Sequence, residues 1–198
     1  LYLDQKKADD IEEALKRVDQ GQQFITQMRA ISQREATIAA CTKAGELLTS
    51  MKNELNNVRE NVEKVGTVFT DSALPTMTRT DELLRVMGNG GRKNSNIETL
   101  YYQTLIWQSL GTVRENLTVF LRSMDLAASK RMMEALEASR QGIEATTASM
   151  TSAEARRDIA AMRSAFEKTM QSFTIMTQSG SNAQASIGRI KESGRTIL

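Results

Sequence analysis

Residues 28–35, MRAISQRE, contain two arginines with a serine and a glutamine between them. On a helix, residues three and four positions apart share one face, so Arg29 lies beside Ser32 and beside Gln33. A guanidinium together with a neighbouring hydroxyl or amide donates several hydrogen bonds to a carboxylate or to nitrate. The spacing therefore makes Arg29, Ser32, Gln33 and Arg34 candidate ligands for a small anion.

The alternative for these arginines is a solvated helix face. Arginines beside an apolar stripe commonly lay their alkyl part on it and extend the charge into water, and this interpretation stays open for Arg29 and Arg34. Glu35 falls between Ile31 and Ile38 in the apolar pattern, where an arginine from a neighbouring helix would pair with it. That pair would be structural, with no ligand involved.

Further candidates come from a weak internal similarity, in which MKNELNNVRENVEKV aligns with MMEALEASRQGIEAT. The alignment pairs Arg59 with Arg140 and, upstream, Arg34 with Arg114; Thr118 adds a hydroxyl one turn after Arg114. Generic heptad similarity would give the same matches, so duplication stays open. We take Arg114, Thr118 and Arg140 as candidate ligand-binding residues. The alternative is that such polar side chains satisfy neighbouring groups in a helical core.

Composition excludes several kinds of site. The chain has no histidine and one cysteine, so the usual ligands of zinc and haem are missing and histidine-dependent nucleophilic catalysis is impossible. The GNGG run lacks the strand–helix context of a phosphate-binding loop. The net charge is +2 and the signs are interspersed, which gives no basic surface for nucleic acid. We expect no enzyme, no metal and no cofactor.

Hydropathy places the chain among soluble, folded proteins. Hydrophobic residues make up 40% and charged residues 25%, and no stretch reaches the roughly 18 apolar residues that a membrane span needs. The sequence begins at Leu1 without an initiator methionine. We therefore expect a piece of a longer protein, with any membrane segment outside it.

Apolar residues at alternating three- and four-residue spacing, here called seams, indicate long helices packed as in coiled coils. A single proline among 198 residues also favours helix. The clearest seam comprises Leu48, Met51, Leu55, Val58, Val62, Val65 and Phe69. Another follows residues 106–124, and a third follows residues 159–190.

The seams and their interruptions predict the helix bounds. Gly45 in TKAGEL, the proline in TDSALPTMTRTDE, and the GNGGRKNSN loop at 88–96 are expected breaks. Asp125 is an expected N-cap, and TSAE at 151–154 an expected capping box. Despite Gly180, the last helix stays in phase and is kept whole. The predicted helices are 3–44, 47–70, 79–88, 96–124, 126–149 and 152–197.

These lengths predict an all-α protein, an elongated antiparallel helical bundle. The first and last helices would span about 60–70 Å, and the inner ones of 22–24 residues about half of that. Two long helices accompanied by shorter ones favour two stacked four-helix modules built from about six helices.

The long outer helices and the FLRSMDLAASKRMMEALEA corner resemble the periplasmic helical sensor domains of bacterial methyl-accepting chemotaxis receptors and sensor kinases. The helical bimodular type is the nearest, and a single four-helix-bundle type is the alternative. MRAISQRE is similar to the Arg-x-x-Ser-x-Arg signature of nitrate-sensing kinases and pilus-type chemoreceptors, in which the first arginine binds the anion. Arg29, Ser32 and Arg34 match it, whereas Thr26 and Gln27 stand where a glycine is usual, and Ala30 replaces a methionine.

The resemblance implies that residues 1–198 are one periplasmic ligand-sensing ectodomain of an inner-membrane chemoreceptor. Its ligand would be an organic acid, a nitrate-like anion or an amino acid. Its partner would be a second copy in a homodimer, and flanking segments would enter the membrane. A ligand-driven helix shift would carry the signal across it. The alternatives are a histidine-kinase sensor domain and a structural or adaptor rod without a small ligand.

Overall fold

The computed structural model describes residues 2–93, 97–149 and 153–197, and the all-α prediction is confirmed within these ranges. The described residues form a helical bundle of six α-helices and one π-helical turn, with no strand among them. The elements are α1 Tyr2–Ile31, α2 Glu35–Val68, the π-helical turn Phe69–Ala73, α3 Leu74–Lys93, α4 Ile97–Ser123, α5 Leu126–Ser149 and α6 Ala153–Ile197.

The bounds of the last three helices agree with the sequence prediction to within one residue. The prediction of one unbroken last helix is confirmed, because α6 runs through Gly180 without interruption. The capping box predicted at 151–154 begins at residues 151 and 152, which lie outside the described residues.

The corner between α4 and α5 forms as its sequence predicts. The Ala127 N–H donates to Asp125 Oδ1 over 2.9 Å, so the aspartate caps α5. Met124 has φ 54°, the left-handed backbone that ends a helix sharply. Its own N–H still donates to the Phe120 carbonyl, which completes the last turn of α4.

The predicted first helix, 3–44, is wrong, because the chain turns at residues 32–34 and makes a hairpin of α1 and α2. The predicted break at Gly45 is wrong for the same reason, since this glycine lies inside α2. A Cβ on Gly45 would lie 3.9 Å from Ile25, and one on Gly21 would lie 3.2 Å from Leu48. These glycines therefore let α1 and α2 approach each other.

The predicted break around Pro75 is also wrong, because helical structure continues from Glu35 to Lys93. A proline lacks the N–H of a regular α-helix and its ring crowds the carbonyl four residues earlier. The π-helical turn Phe69–Ala73 immediately precedes it, and the Leu74 N–H donates to the Phe69 carbonyl five residues back. The widened turn accommodates the proline, and the predicted helix 79–88 becomes α3, Leu74–Lys93.

The predicted loop at 88–96 is wrong for its first six residues, which belong to α3; residues 94–96 lie outside the described residues. Two of the glycines in this stretch, Gly88 and Gly91, pack against α4. A Cβ on Gly91 would lie 3.2 Å from Thr99 and from Leu100. Tertiary packing thus compensates for the low helix propensity of glycine.

The chain divides into two compact units. The first comprises Leu1–Lys64 and Ser179–Leu198, so its described residues come from α1, α2 and α6. Its buried apolar core is small and consists of Leu15, Val18, Cys41, Val58 and Ala183. Ion pairs link its helices: Lys52 Nζ lies 2.6 Å from Asp19 Oδ1, and Arg189 Nε lies 2.7 Å from Glu54 Oε1.

The second unit comprises Val65–Gln178 and holds most of the buried side chains. Its described residues come from the end of α2, the π-helical turn, α3, α4, α5 and the first part of α6. The largest fully buried side chains are Leu84, Ile106, Phe120, Met132, Leu136, Ile143, Phe166 and Phe173. Burying one such side chain contributes about 1.5–3 kcal/mol, so this unit has the stronger apolar core.

Buried hydroxyls in the seams of the second unit donate within their own helices. Ser139, Thr146 and Thr169 each donate to the carbonyl four residues earlier, over 2.7–3.1 Å. No buried side-chain nitrogen or oxygen of the described residues lacks a hydrogen-bond partner. The polar seam positions are therefore satisfied locally.

A search of the described helices finds none with the length and apolar character that a membrane crossing requires.

Candidate functional site

The MRAISQRE segment is the turn between α1 and α2. The Ser32 N–H donates to the Met28 carbonyl over 3.1 Å, and the Ile38 N–H donates to the Arg34 carbonyl over 3.0 Å, so Arg34 stands at the start of α2. Between them, Ser32 Oγ accepts a hydrogen bond from the Arg34 N–H at 3.4 Å. These bonds close the hairpin and give Ser32 and Arg34 a structural role.

The remaining side chains of this turn lie in solvent. Arg29 and Gln33 are exposed, as is Arg34, whereas Ser32 is half-buried. Arg29 occupies the last turn of α1, where a positive charge interacts favourably with the negative end of the helix dipole. Ligand binding by Arg29, Ser32, Gln33 and Arg34 stays a prediction. The hairpin turn and the helix dipole already account for three of these residues without a ligand.

Arg114, predicted as a ligand contact, is half-buried and pairs with the carboxylate of Asp81, so that it links α4 to α3. The Thr118 hydroxyl donates to the Arg114 carbonyl over 2.9 Å and is exposed. The charge of Arg114 is therefore already neutralised by Asp81. Arg34, which the internal similarity pairs with Arg114, lies in a turn and not within a helix.

Arg140, the remaining predicted contact, lies between two glutamates on its own helix, α5. Its guanidinium reaches Glu137 at 2.6 Å and Glu144 at 2.5 Å. The hydrogen bonds from Arg140 hold the pKa of Glu137 below its ordinary value, and the two carboxylates raise the pKa of Arg140. The predicted residues are thus distributed over α1, the α1–α2 turn, α4 and α5. Arg114 and Arg140 have separate carboxylate partners.

A groove of about 500 Å³ lies between α3 and α4, within the second unit. This volume falls in the range that small-molecule sites occupy. Polar side chains from both helices converge on it. Its lining residues are Arg85, Gly88, Asn89 and Arg92 from α3, and Gln103, Thr104, Trp107 and Gln108 from α4.

Gly88 determines how the two helices meet beneath the groove. A Cβ at this position would lie 2.2 Å from Gln103 Nε2, so the glutamine side chain occupies the space that any other residue would fill. Gln103 Nε2 donates to the Leu84 carbonyl over 3.1 Å, which fixes the amide against α3. Glycine therefore leaves room for the Gln103 amide here, and a Cβ at this position would require that side chain to move.

The groove carries two arginine charges without a protein countercharge. Arg85 and Arg92 are exposed, and neither forms an ion pair with any acidic side chain in the described residues. Both acidic residues of α3 are already engaged, since Asp81 pairs with Arg114 and Glu82 pairs with Arg79 at 3.0 Å. An anion entering the groove would meet free guanidinium donors.

The sequence prediction missed this site because it ended the helix at residue 88 and took the rest of RVMGNGGR for a loop. In α3 the residues Arg85, Gly88, Asn89 and Arg92 have i, i+3, i+4, i+7 spacing, which places them on one helix face. That spacing was legible in the sequence and would have indicated the site if the segment had been taken as helical.

No protein-family model matches the chain, and no curated protein sequence matches it significantly.

Proposed function

We propose that this chain is the extracytoplasmic ligand-sensing domain of a bacterial transmembrane chemoreceptor, and that it binds a small anion in the groove between α3 and α4. The observation that carries the proposal is the pair of arginines, Arg85 and Arg92, which have no protein countercharge among the described residues. Arginine binds carboxylates through two parallel hydrogen bonds. The amides of Asn89 and Gln108 supply further donors.

The fold supports signalling from this site. The π-helical turn directly before α3 touches α6, because the hydroxyls of Ser72 and Ser172 share a hydrogen bond of 2.7 Å. α6 then continues as one helix to Ile197. An anion that draws α3 towards α4 would alter this contact and displace α6. Helix translations of about 1–2 Å suffice for such coupling in known switches.

The receptor assignment extends this proposal. A periplasmic position, anchoring by flanking membrane segments and a homodimeric partner are parts of it that follow from the resemblance of the FLRSMDLAASK corner. Two predicted features of the full gene test them: apolar runs of about 20 residues on both sides of the chain. A gene without such runs would favour a structural rod.

Thermal-shift screening of the full chain against acetate, succinate, nitrate and amino acids tests the binding proposal. We expect at least one carboxylate to raise the melting temperature, since a ligand at about 100 times its Kd adds about 2.7 kcal/mol to the free energy of unfolding. Arg85→Gln and Arg92→Gln should each reduce the shift. Arg122→Gln, at an exposed arginine in the last turn of α4, is the matched control and should retain it.

Two results would contradict the proposal. A screen in which no anion stabilises the chain would remove the sensing function. A shift that persists in both groove variants but disappears in Arg29→Ala would move the site to the α1–α2 turn.

A further inference from the structure

We infer that the groove between α3 and α4 is built for a planar aromatic dianion, whose two carboxylates bridge Arg85 and Arg92 while its ring lies against Trp107. The inference deepens the proposed function, since it rests on the groove being an anion site. It names the class of ligand.

The spacing of the two charges favours a ligand with two anionic groups. Arg85 and Arg92 are seven residues apart on one face of α3, which separates their Cα atoms by about 10 Å along the helix axis. A single small carboxylate accepts a bidentate pair of hydrogen bonds from one guanidinium. A dicarboxylate of matching length accepts one pair from each arginine, without forcing two like charges together.

The space between the arginines suits a flat molecule. On the α3 side the intervening positions are Gly88, which has no side chain, and Asn89. The Gln103 amide lies over Gly88 and is held by its bond to the Leu84 carbonyl. Among the described lining residues, the groups between the two charges on this wall are thus two side-chain amides, those of Asn89 and Gln103, and no large apolar side chain.

The opposite wall carries an aromatic ring. Trp107 lies on α4 and is 39% exposed, although it is the largest side chain lining the groove. A tryptophan face gains energy from stacking with another planar ring beyond the area that it buries. An aromatic ring between the two carboxylates would therefore add stacking energy with Trp107, which an aliphatic chain of the same length lacks.

Three probes separate these contributions: terephthalate has a ring and two opposed carboxylates, benzoate has the ring and one carboxylate, and adipate has two carboxylates without a ring. Trp107 is the only tryptophan of the chain, so its fluorescence, excited selectively, reports occupancy of the groove directly. Titrations of the full chain give a Kd for each probe. We expect terephthalate to bind about tenfold more tightly than either benzoate or adipate.

Variants test which residue gives terephthalate its higher affinity for each of its two features, the second carboxylate and the ring. Calorimetry measures binding in the variant that lacks Trp107 and therefore its fluorescence. Arg85→Gln and Arg92→Gln should each bring terephthalate down to the affinity of benzoate. Trp107→Leu should make terephthalate and adipate equal. Arg122→Gln should leave all three affinities unchanged, and circular dichroism checks that every variant keeps its helices.

The possible failures differ from those of the proposed function. Equal binding of terephthalate and benzoate would overturn the bridging of two arginines, and equal binding of terephthalate and adipate would overturn the stacking. If acetate or nitrate binds the groove and no dicarboxylate does, the inference is wrong and the anion-sensing function stands. If nothing binds, both are wrong.

Discussion

Replacing Glu54 by glutamine should reduce stability at neutral pH and leave it nearly unchanged in strong acid. Glu54 on α2 accepts two hydrogen bonds from Arg189 on α6, at 2.7 and 2.8 Å, which link two helices of the first unit. The bonds from Arg189, and then one from Ser186, lower the pKa of Glu54 from 4.5 to about 2. This pKa is lower in the folded chain than in the unfolded chain, so the ionised Glu54 carboxylate stabilises the fold above pH 4.5. Its contribution to the free energy of unfolding disappears as the pH falls towards 2.

The magnitude follows from this pKa and from the exposure of the pair. At about 1.36 kcal/mol for each pKa unit, the full difference corresponds to about 3 kcal/mol. The side chain of Glu54 is only 18% exposed, but that of Arg189 is 53% exposed, so water and salt screen the pair. We therefore expect Glu54→Gln to cost about 1 kcal/mol at pH 7.

Urea unfolding of the native chain and of Glu54→Gln at pH 7, 4.5, 3 and 2 measures this effect. The difference between the two proteins should shrink as the pH falls below 4.5, and 1 M NaCl should reduce it at pH 7. Glu60→Gln is the control, since Glu60 is exposed on the same helix and makes no ion pair with the described residues. A difference that stays constant from pH 7 to pH 2 would refute the electrostatic explanation.

Two further predictions concern local packing and capping. Gly88→Ala should be about 1 kcal/mol less stable than Gly90→Ala in urea unfolding, because its Cβ would displace the Gln103 amide and break the bond of that amide to the Leu84 carbonyl. Gly90→Ala, with nothing within 4 Å, should be neutral or stabilise by up to about 1 kcal/mol; equal effects of the two would contradict the close approach. Asp125→Ala should lower the free energy of unfolding by about 1 kcal/mol, whereas Asp125→Asn keeps a capping oxygen and should cost little. An alanine variant as stable as the asparagine variant would show that the cap contributes nothing.

Local sequence signals predicted the structure correctly at the α4–α5 corner and along α6. Asp125 is a good N-cap that follows an uninterrupted seam, and the corner formed as predicted. The seam of α6 stayed in phase beyond Gly180, and the helix continued. At the corner the capping residue and the apolar period indicated the same structure, and at Gly180 the apolar period outweighed a single residue of low helix propensity.

Sequence rules mispredicted helix bounds in two situations. In one, a helix ends without a glycine or proline at the break; in the other, a proline lies inside a continuing helix. The α1–α2 turn consists of Ser32, Gln33 and Arg34, which are not strong turn formers, and it is closed by one side-chain bond and by helix ends. Its only trace in the sequence is in the first seam, which begins with Ile11, Leu15 and Val18 and changes phase between Met28 and Ile38. Pro75 is the opposite case, because the preceding π-helical turn accommodates it inside a helix.

The candidate site was misplaced for a related reason. Charge and spacing drew attention to Arg29 and Arg114, but a sequence alone does not reveal which arginines already have carboxylate partners. Arg114 has Asp81, whereas Arg85 and Arg92 have no such partner in the described residues. Pairing between helices depends on tertiary register, which propensity and period do not determine.

The π-helical turn also has a consequence for how related sequences would compare with this one. Buried positions recur every seven residues before it, at Val58 and Val65, and again from its last residue onward, at Ala73, Thr80 and Met87. The step from Val65 to Ala73 is eight residues, so the wide turn absorbs one extra residue and keeps the later side chains buried. A relative with an ordinary α-helical turn here would align only with a single-residue gap inside a continuous helix, where gaps are not normally expected.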